Sequence, residues 1–396
     1  MSNIVGAAGK CILFAGAVLA MAVPAQAAKF HVLYQFQGGT DASGPIGGLT
    51  KDGKLLYGTT YFGGTNNLGT VYALAKDGTE SVLHSFGSGS DGADPEAGLV
   101  ADAKGNLYGT TYYGGTEDRG TVFKITPKGH ETVLYSFCPD YPHCTDGFNV
   151  GSSLILDSKG NLYGTTYAGG ADSVGTVFEV TPGGTETVLY SFKGGDDGAD
   201  PSAGLVADTS GNFYGTTYDG GASNLGTVFE LAANGTESVL YSFKGGSDGE
   251  NPVASLILDS QGNLYSTTYS GGSSDNGTVF KLAPDGTETV LHTFAGGSDG
   301  TSPDSSVAMD KKGNLYSSTL YGGNMAGCGG NGCGTIFRLA PDGTKTILHA
   351  FAGGDGAQPS GGLLAGKDGE FFGTTYNGGG STDSGVIYEW CSHRCS

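Results

Sequence analysis

The string NLYGTTY at 106–112 decides the fold, because its core recurs seven times along the chain. It reads LYGTT at 56–60, 107–111 and 162–166, FYGTT at 213–217, LYSTT at 264–268, LYSST at 315–319 and FFGTT at 371–375. Counting between second residues (Tyr57, Tyr108, Tyr163, Tyr214, Tyr265, Tyr316, Phe372) gives steps of 51, 55, 51, 51, 51 and 56. A fixed period of about 50 residues means stacked supersecondary units.

Outward from that string, the second copy reads as four strands. AGLVAD at 97–102 is an apolar run, 103–105 turns, and NLYGTTY carries β-branched and aromatic residues at strand spacing. A glycine-rich loop at 113–119 leads to GTVFKI at 120–125, and a Pro127-Lys128-Gly129 turn leads to ETVLYSF at 131–137. Four short strands without helical periodicity describe one antiparallel sheet. Seven such sheets about an axis predict an all-β fold, a seven-bladed β-propeller with four antiparallel strands per blade. The last repeat stops after its third strand, GVIYEW at 385–390, whereas FHVLYQF at 30–36 matches the fourth strand of every other repeat. The N-terminal strand is therefore expected to close the last blade, where an open solenoid would leave both ends in need of caps.

Of 396 residues, 75 are glycine, and their set offsets within each repeat mark them as turn residues. Acids outnumber bases 39 to 19, a net charge of -20 that repels phosphate backbones and anionic headgroups. No nucleic acid partner is expected. Residues 1–27 read as a signal peptide: Lys10, an apolar run at 11–23, and Ala25-Gln26-Ala27 as the cleavage site. The mature propeller, 28–396, is expected to be a periplasmic or secreted monomer with no membrane insertion after cleavage. Its six cysteines fall in close pairs, Cys138 with Cys144, Cys328 with Cys333 and Cys391 with Cys395, which in an exported chain favours disulfides. No metal and no cofactor is expected.

The recurring G-N-L-Y-G-T-T, G-G, G-T-V-F and L-Y-S-F elements resemble the GloVer (Gloeo_Verruco) tandem-repeat family of exported bacterial proteins. The resemblance spans nearly all of 30–390 and implies no agreed activity, so it assigns no functional residue.

Residues repeated in every unit serve the unit. Asp41, Asp91, Asp146, Asp197, Asp248, Asp299 and Asp355 share one loop position, where each is expected to cap its own turn; a ring of Ca²⁺ sites is the alternative. The G-x-S-x-G strings around Ser247 and Ser298 lie in loops between strands, not at a nucleophile elbow. His84, His292 and His349 alternate with tyrosines, which points to packing. First strands begin with Gly48, Gly98, Ser153, Gly204, Ser255, Ser306 and Gly362, so the axis is expected to carry no charge.

Function is sought in departures from the repeat. One expansion holds Cys138 to Cys144 between blades 2 and 3; the other holds Cys328 to Cys333 within blade 6. Both loop types emerge on one face, and insertions confined to one face mark a binding face. There Glu117, Asp118 and Arg119 lie beside Tyr141 and His143, a set able to orient a polar ligand. The expected role is recognition or scaffolding, with a glycan or partner protein on that face. The alternative is a polysaccharide lyase or glycoside hydrolase, which needs two facing carboxyls.

Overall fold

The computed structural model describes residues 29–392, apart from Ser88 and Asp368. The expected leader at 1–27 and Cys395 lie outside the described residues.

Seven antiparallel sheets form the propeller. In blade 2, Val100–Ala101, Leu107–Thr111, Thr121–Ile125 and Glu131–Ser136 pair in that order from axis to rim. Blades 1 and 3–6 repeat the pattern. Blade 7 is shared by the two ends of the chain: Leu364–Ala365, Glu370–Asn377 and Val386–Cys391 come from the C-terminal side, and Lys29–Gln35 supplies the outer strand. Phe30 lies opposite Trp390 and Gln35 opposite Val386, so the ring is latched as its sequence implies.

The innermost strands are shorter than expected. Of 97–102 only Val100–Ala101 forms a ladder. A Cβ on Gly98 would stand 2.7 Å from the Gly48 carbonyl oxygen, and one on Gly48 would stand 2.5 Å from that of Gly361. Backbones converging this closely leave no room for a long sheet edge.

The paired threonines explain why the motif recurs. The second binds within its own blade, Thr111 Oγ1 lying 2.8 Å from Thr121 Oγ1. The first reaches the next blade: Thr59 donates to the Ala97 carbonyl at 2.8 Å and Thr110 to that of Ser152 at 3.0 Å. One hydroxyl thus closes a sheet while the other joins sheets.

Each seam between blades is also filled by one edge-to-face aromatic pair. The final Phe of a fourth strand meets a third-strand ring of the next blade: Phe36 with Tyr72, Phe86 with Phe123, Phe137 with Phe178, Phe192 with Phe229, Phe243 with Phe280, Phe294 with Phe337 and Phe351 with Tyr388. Centroid separations span only 5.0–5.3 Å. Burial of one such side chain contributes about 1.5–3 kcal/mol, and the ring contact about 0.5–1.5 more. Seven seams therefore outweigh the short-loop disulfides Cys138–Cys144 and Cys328–Cys333, at about 2 kcal/mol each. The ordered bonds Cys138–Cys144 and Cys328–Cys333 pin surface loops.

Candidate functional site

Loops that follow the fourth strand pair with loops that follow the second. Gly92–Ala93 ladders with Tyr113–Gly114 and Gly249–Glu250 with Ser270–Gly271, while Phe148 bridges Ala168 and Thr301 bridges Tyr321. Both cysteine inserts belong to these loops and so share one face, here called the upper face.

The five sequence candidates lie on the two neighbouring loops of that face, which Arg119 joins. Arg119 is half-buried, its guanidinium 5.3 Å from the centroids of both Tyr141 and Phe148, and its carbonyl accepts the Asn149 N–H. It clamps the insert. Asp118 accepts the Gly114 N–H at 2.9 Å, as Asn67, Asn224 and Asp275 do for Gly63, Gly220 and Gly271, so it belongs to the repeat's turn. Glu117 and His143 are exposed, and Tyr141 is 56% exposed. Within the set, the Arg119 guanidinium touches the Tyr141 ring.

The axis, expected to be uncharged, is not. A polar cavity of about 120 Å³ runs between the first strands and is lined by Glu96 and Asp304 among small residues such as Ser153, Gly204 and Ser255. These carboxyls stand two residues before the small residues Gly98 and Ser306, directly after the loop prolines Pro95 and Pro303. Sister repeats place Ile46, Gly151, Ser202, Val253 and Ser360 there. Glu96 has room because its neighbour is glycine: a Cβ on Gly151 would come within 2.9 Å of Glu96 Oε2. Both acids keep some accessible surface in the cavity, yet protein walls crowd them. Desolvation, helped by Asp94, pushes Glu96 up to about 7; desolvation pushes Asp304 up to about 8. Ser202 Oγ, on the same wall, has no hydrogen-bond partner.

Around the upper mouth stands an arc of tyrosines at the residue following each Thr-Thr pair: Tyr376, Tyr61, Tyr112, Tyr167, Tyr218 and Tyr269, all half-buried, with Leu320 at the blade 6 position. Neighbours in the arc lie close enough, in unbroken order, to oppose one another's ionisation, and Glu96 does the same to Tyr61, Tyr112 and Tyr376. Burial, then Asp94 and Glu96, pushes the Tyr61 phenol up to about 12; burial and Glu96 do the same for Tyr112. These two phenols stay neutral at physiological pH and can both donate and accept. Phe62 and Tyr113, 37% and 38% exposed, stack edge-on against Tyr61 and Tyr112 and widen the aromatic surface over blades 1 and 2.

The repeated loop aspartates have a structural role at the rim. Each accepts a backbone N–H at its turn, as Gly87 gives to Asp91 at 2.7 Å and Lys193 to Asp197 at 2.8 Å. Each also meets the Tyr or His of the fourth strand, Tyr190 donating to Asp197 at 2.6 Å and His349 Nε2 lying 2.9 Å from Asp355. Tyrosine and histidine interchange because both reach this carboxylate, which goes beyond packing. At five seams a glutamate from the next blade joins in: Glu80, Glu131, Glu186, Glu237 and Glu288, each with a sealed Oε1 lacking a hydrogen-bond partner. Burial, then the charge of the facing aspartate, pushes Glu80, Glu186, Glu237 and Glu288 up to about 7, so such pairs hold a proton near neutrality.

An apolar cleft of about 170 Å³ opens between blades 1 and 2 on the lower face, walled by Leu55, Ala73, Leu83 and Pro127, with no charged side chain in its lining. The axial mouth, unlike this cleft, gathers two carboxyls and several serine hydroxyls.

The molecule is thus a seven-bladed propeller with an aromatic-rimmed, acid-lined axial mouth. By sequence, the chain belongs to the Gloeobacter/Verrucomicrobia repeat family, whose model matches residues 15–155, 139–330 and 211–394. No curated protein matches it in sequence. Among solved structures it is similar to the extracellular domain of BT4673 from B. thetaiotaomicron, described once as a one component system and once as a hybrid two component system. The TM-scores are 0.56 and 0.59 at 12% identity, over 92% and 94% of this chain. The chain spans 40% of that domain's length. It is also similar to a puromycin hydrolase S511A mutant complexed with PGG, with TM-score 0.54 and 13% identity over 85% of this chain and 50% of that one. At such identities the likeness is one of fold. The disulfides Cys138–Cys144 and Cys328–Cys333 fit an extracytoplasmic compartment.

Proposed function

We propose that this propeller is an extracytoplasmic recognition module that binds a neutral, hydroxyl-rich ligand of the glycan class at the upper mouth of its axis. The observation that carries the reading is the arc of six tyrosines above Glu96 and Asp304. Tyrosine pairs a flat apolar face with a hydroxyl, which suits a sugar ring, apolar on its C–H face and polar at its edge. A carboxyl that accepts in one state and donates in the other suits vicinal hydroxyls. The cavity admits a substituent, and the body of the ligand rests on the arc. The two inserts stand on the same face and offer a second margin of contact, with Tyr141 as its exposed aromatic.

One observation favours a second reading, in which the ligand is also a substrate. Two carboxyls raised to about 7 and about 8 in one cavity are suited to general acid–base work. The two readings separate in one experiment: the mature protein is passed over immobilised neutral oligosaccharides while released reducing ends are assayed. Retention without turnover is the expected result, with retention weakened by Glu96→Gln. Turnover abolished by Glu96→Gln or Asp304→Asn would establish the second reading. Neither retention nor turnover would remove both.

A further inference from the structure

We propose that His84, Asp91 and Glu131 form a site for one divalent transition-metal ion of the zinc class, clipping blade 1 to blade 2. One ligand atom from each residue lies within 4.8 Å of the others, and among the described residues this is the one such group of three. His84 Nε2 is 3.2 Å from Asp91 Oδ2. Tetrahedral zinc with bonds of about 2.0–2.1 Å places its ligands about 3.3 Å apart, so this edge is already formed. Asp91 is held from behind, its Oδ2 taking the Gly87 N–H at 2.7 Å and its Oδ1 the Gly92 N–H at 2.8 Å, as outer partners hold metal carboxylates. The His84 ring is fixed edge-on against Phe86 at 4.8 Å. Glu131 Oε1 is sealed and has no hydrogen-bond partner. The His84 and Asp91 side chains remain 19% and 23% exposed, which leaves an entry path and a fourth position for water. One imidazole and two carboxylates select zinc-like ions over Ca²⁺, which takes six or more oxygens.

The other seams supply internal controls. At four of them a tyrosine stands in place of His84: Tyr34, Tyr135, Tyr190 and Tyr241 donate phenols to their aspartates, and the set lacks nitrogen. At the two remaining histidine seams the third ligand is replaced. Lys345 Nζ lies 2.7 Å from Asp299 beside His292, and the Phe30 ring stacks on His349 at 3.7 Å. Only the seam between blades 1 and 2 keeps histidine, aspartate and glutamate together.

The test is calorimetric titration of the chelator-stripped mature protein with ZnCl₂, with melting temperature followed in parallel. One ion per chain and a higher melting temperature are expected. His84→Tyr installs the residue that four sister seams already use, so the ring still folds, and zinc affinity should fall at least tenfold. Lys345→Glu rebuilds the same triad beside His292 and Asp299 and should raise the stoichiometry from one to two. Absence of zinc binding, binding unchanged in His84→Tyr, or a stoichiometry of one in Lys345→Glu would each overturn the proposal.

Discussion

The outer seams and the axial mouth both crowd carboxyl groups into poorly solvated places, but they do so differently. At the seams the acids recur: Glu80, Glu186, Glu237 and Glu288 each face the loop aspartate of the preceding blade. At the axis they are singular, Glu96 and Asp304 standing where five sister blades carry no charge. A repeated acid shares a repeated neighbour and serves the ring. A singular acid answers no requirement of the repeat, and its desolvation is sustained by the surrounding fold, which makes Glu96 and Asp304 candidates for a site.

The largest effect should come from breaking the ring itself. Deleting 29–37 strips the outer strand of blade 7 and the fully buried Phe36, whose ring packs on Tyr72. Loss of one buried Phe costs about 3–5 kcal/mol, so thermal unfolding should begin far below that of the intact protein. A melting curve unchanged by the deletion would mean that closure is not what holds the seams.

The seam acids sharpen the comparison through pH. Their folded-state pKa values are raised from 4.5 to about 7, so the folded state holds these protons more tightly than the unfolded chain. Their stabilising contribution is complete below about pH 4.5 and is lost as pH rises through 7. Several aspartates, among them Asp102, Asp157 and Asp259, are shifted downward by hydrogen bonds from their turns that outweigh desolvation, and their contribution is lost as pH falls below 3.8. Melting temperature should therefore peak in mildly acidic solution and decline toward pH 8. Replacing Glu80, Glu186, Glu237 and Glu288 together by Gln should flatten the alkaline side of that profile; a profile as steep as the parent's would place its cause elsewhere.

A smaller effect is expected at the axis. Asp304→Asn removes a carboxyl raised from 3.8 to about 8, so the variant should match the parent below about pH 4, gain on it progressively as pH rises, and hold a constant advantage above about 8. Ligand retention should move the opposite way, weakening where stability improves. A variant less stable at every pH would make Asp304 a structural group and erase the distinction between rim and axis.

How much of this was legible in sequence follows from the same distinction. The blades were readable because Thr-Thr, the fourth-strand Phe and the turn glycines each meet one fixed requirement in every repeat. The axial acids were visible as two charges at a neutral position, but they were passed over because the lining was assigned to Gly48, Gly98 and their equivalents. The first strands prove only two or three residues long, which brings the residue after each loop proline into the cavity. Tyr61, Tyr112 and the rest of the arc were hidden by the opposite error, since a residue repeated in six blades reads as structural. The seam pairs join one blade's loop to the far end of the next blade's outer strand, a contact made by blade twist that spacing does not reveal. Of the candidates Glu117, Asp118, Arg119, Tyr141 and His143, Asp118 serves its turn and Arg119 its insert, contacts that sequence spacing alone does not show.

The most direct test of the account is retention of the protein on an array of immobilised neutral oligosaccharides, compared with the Tyr61→Ala, Tyr112→Ala double variant at matched folding. Each lost aromatic contact is expected to weaken binding about tenfold, or about 1.4 kcal/mol. Retention of the parent on at least one neutral glycan, lost in the double variant while its melting remains cooperative, is the predicted result. Equal retention by both proteins would contradict the assignment of the axial mouth as the binding site.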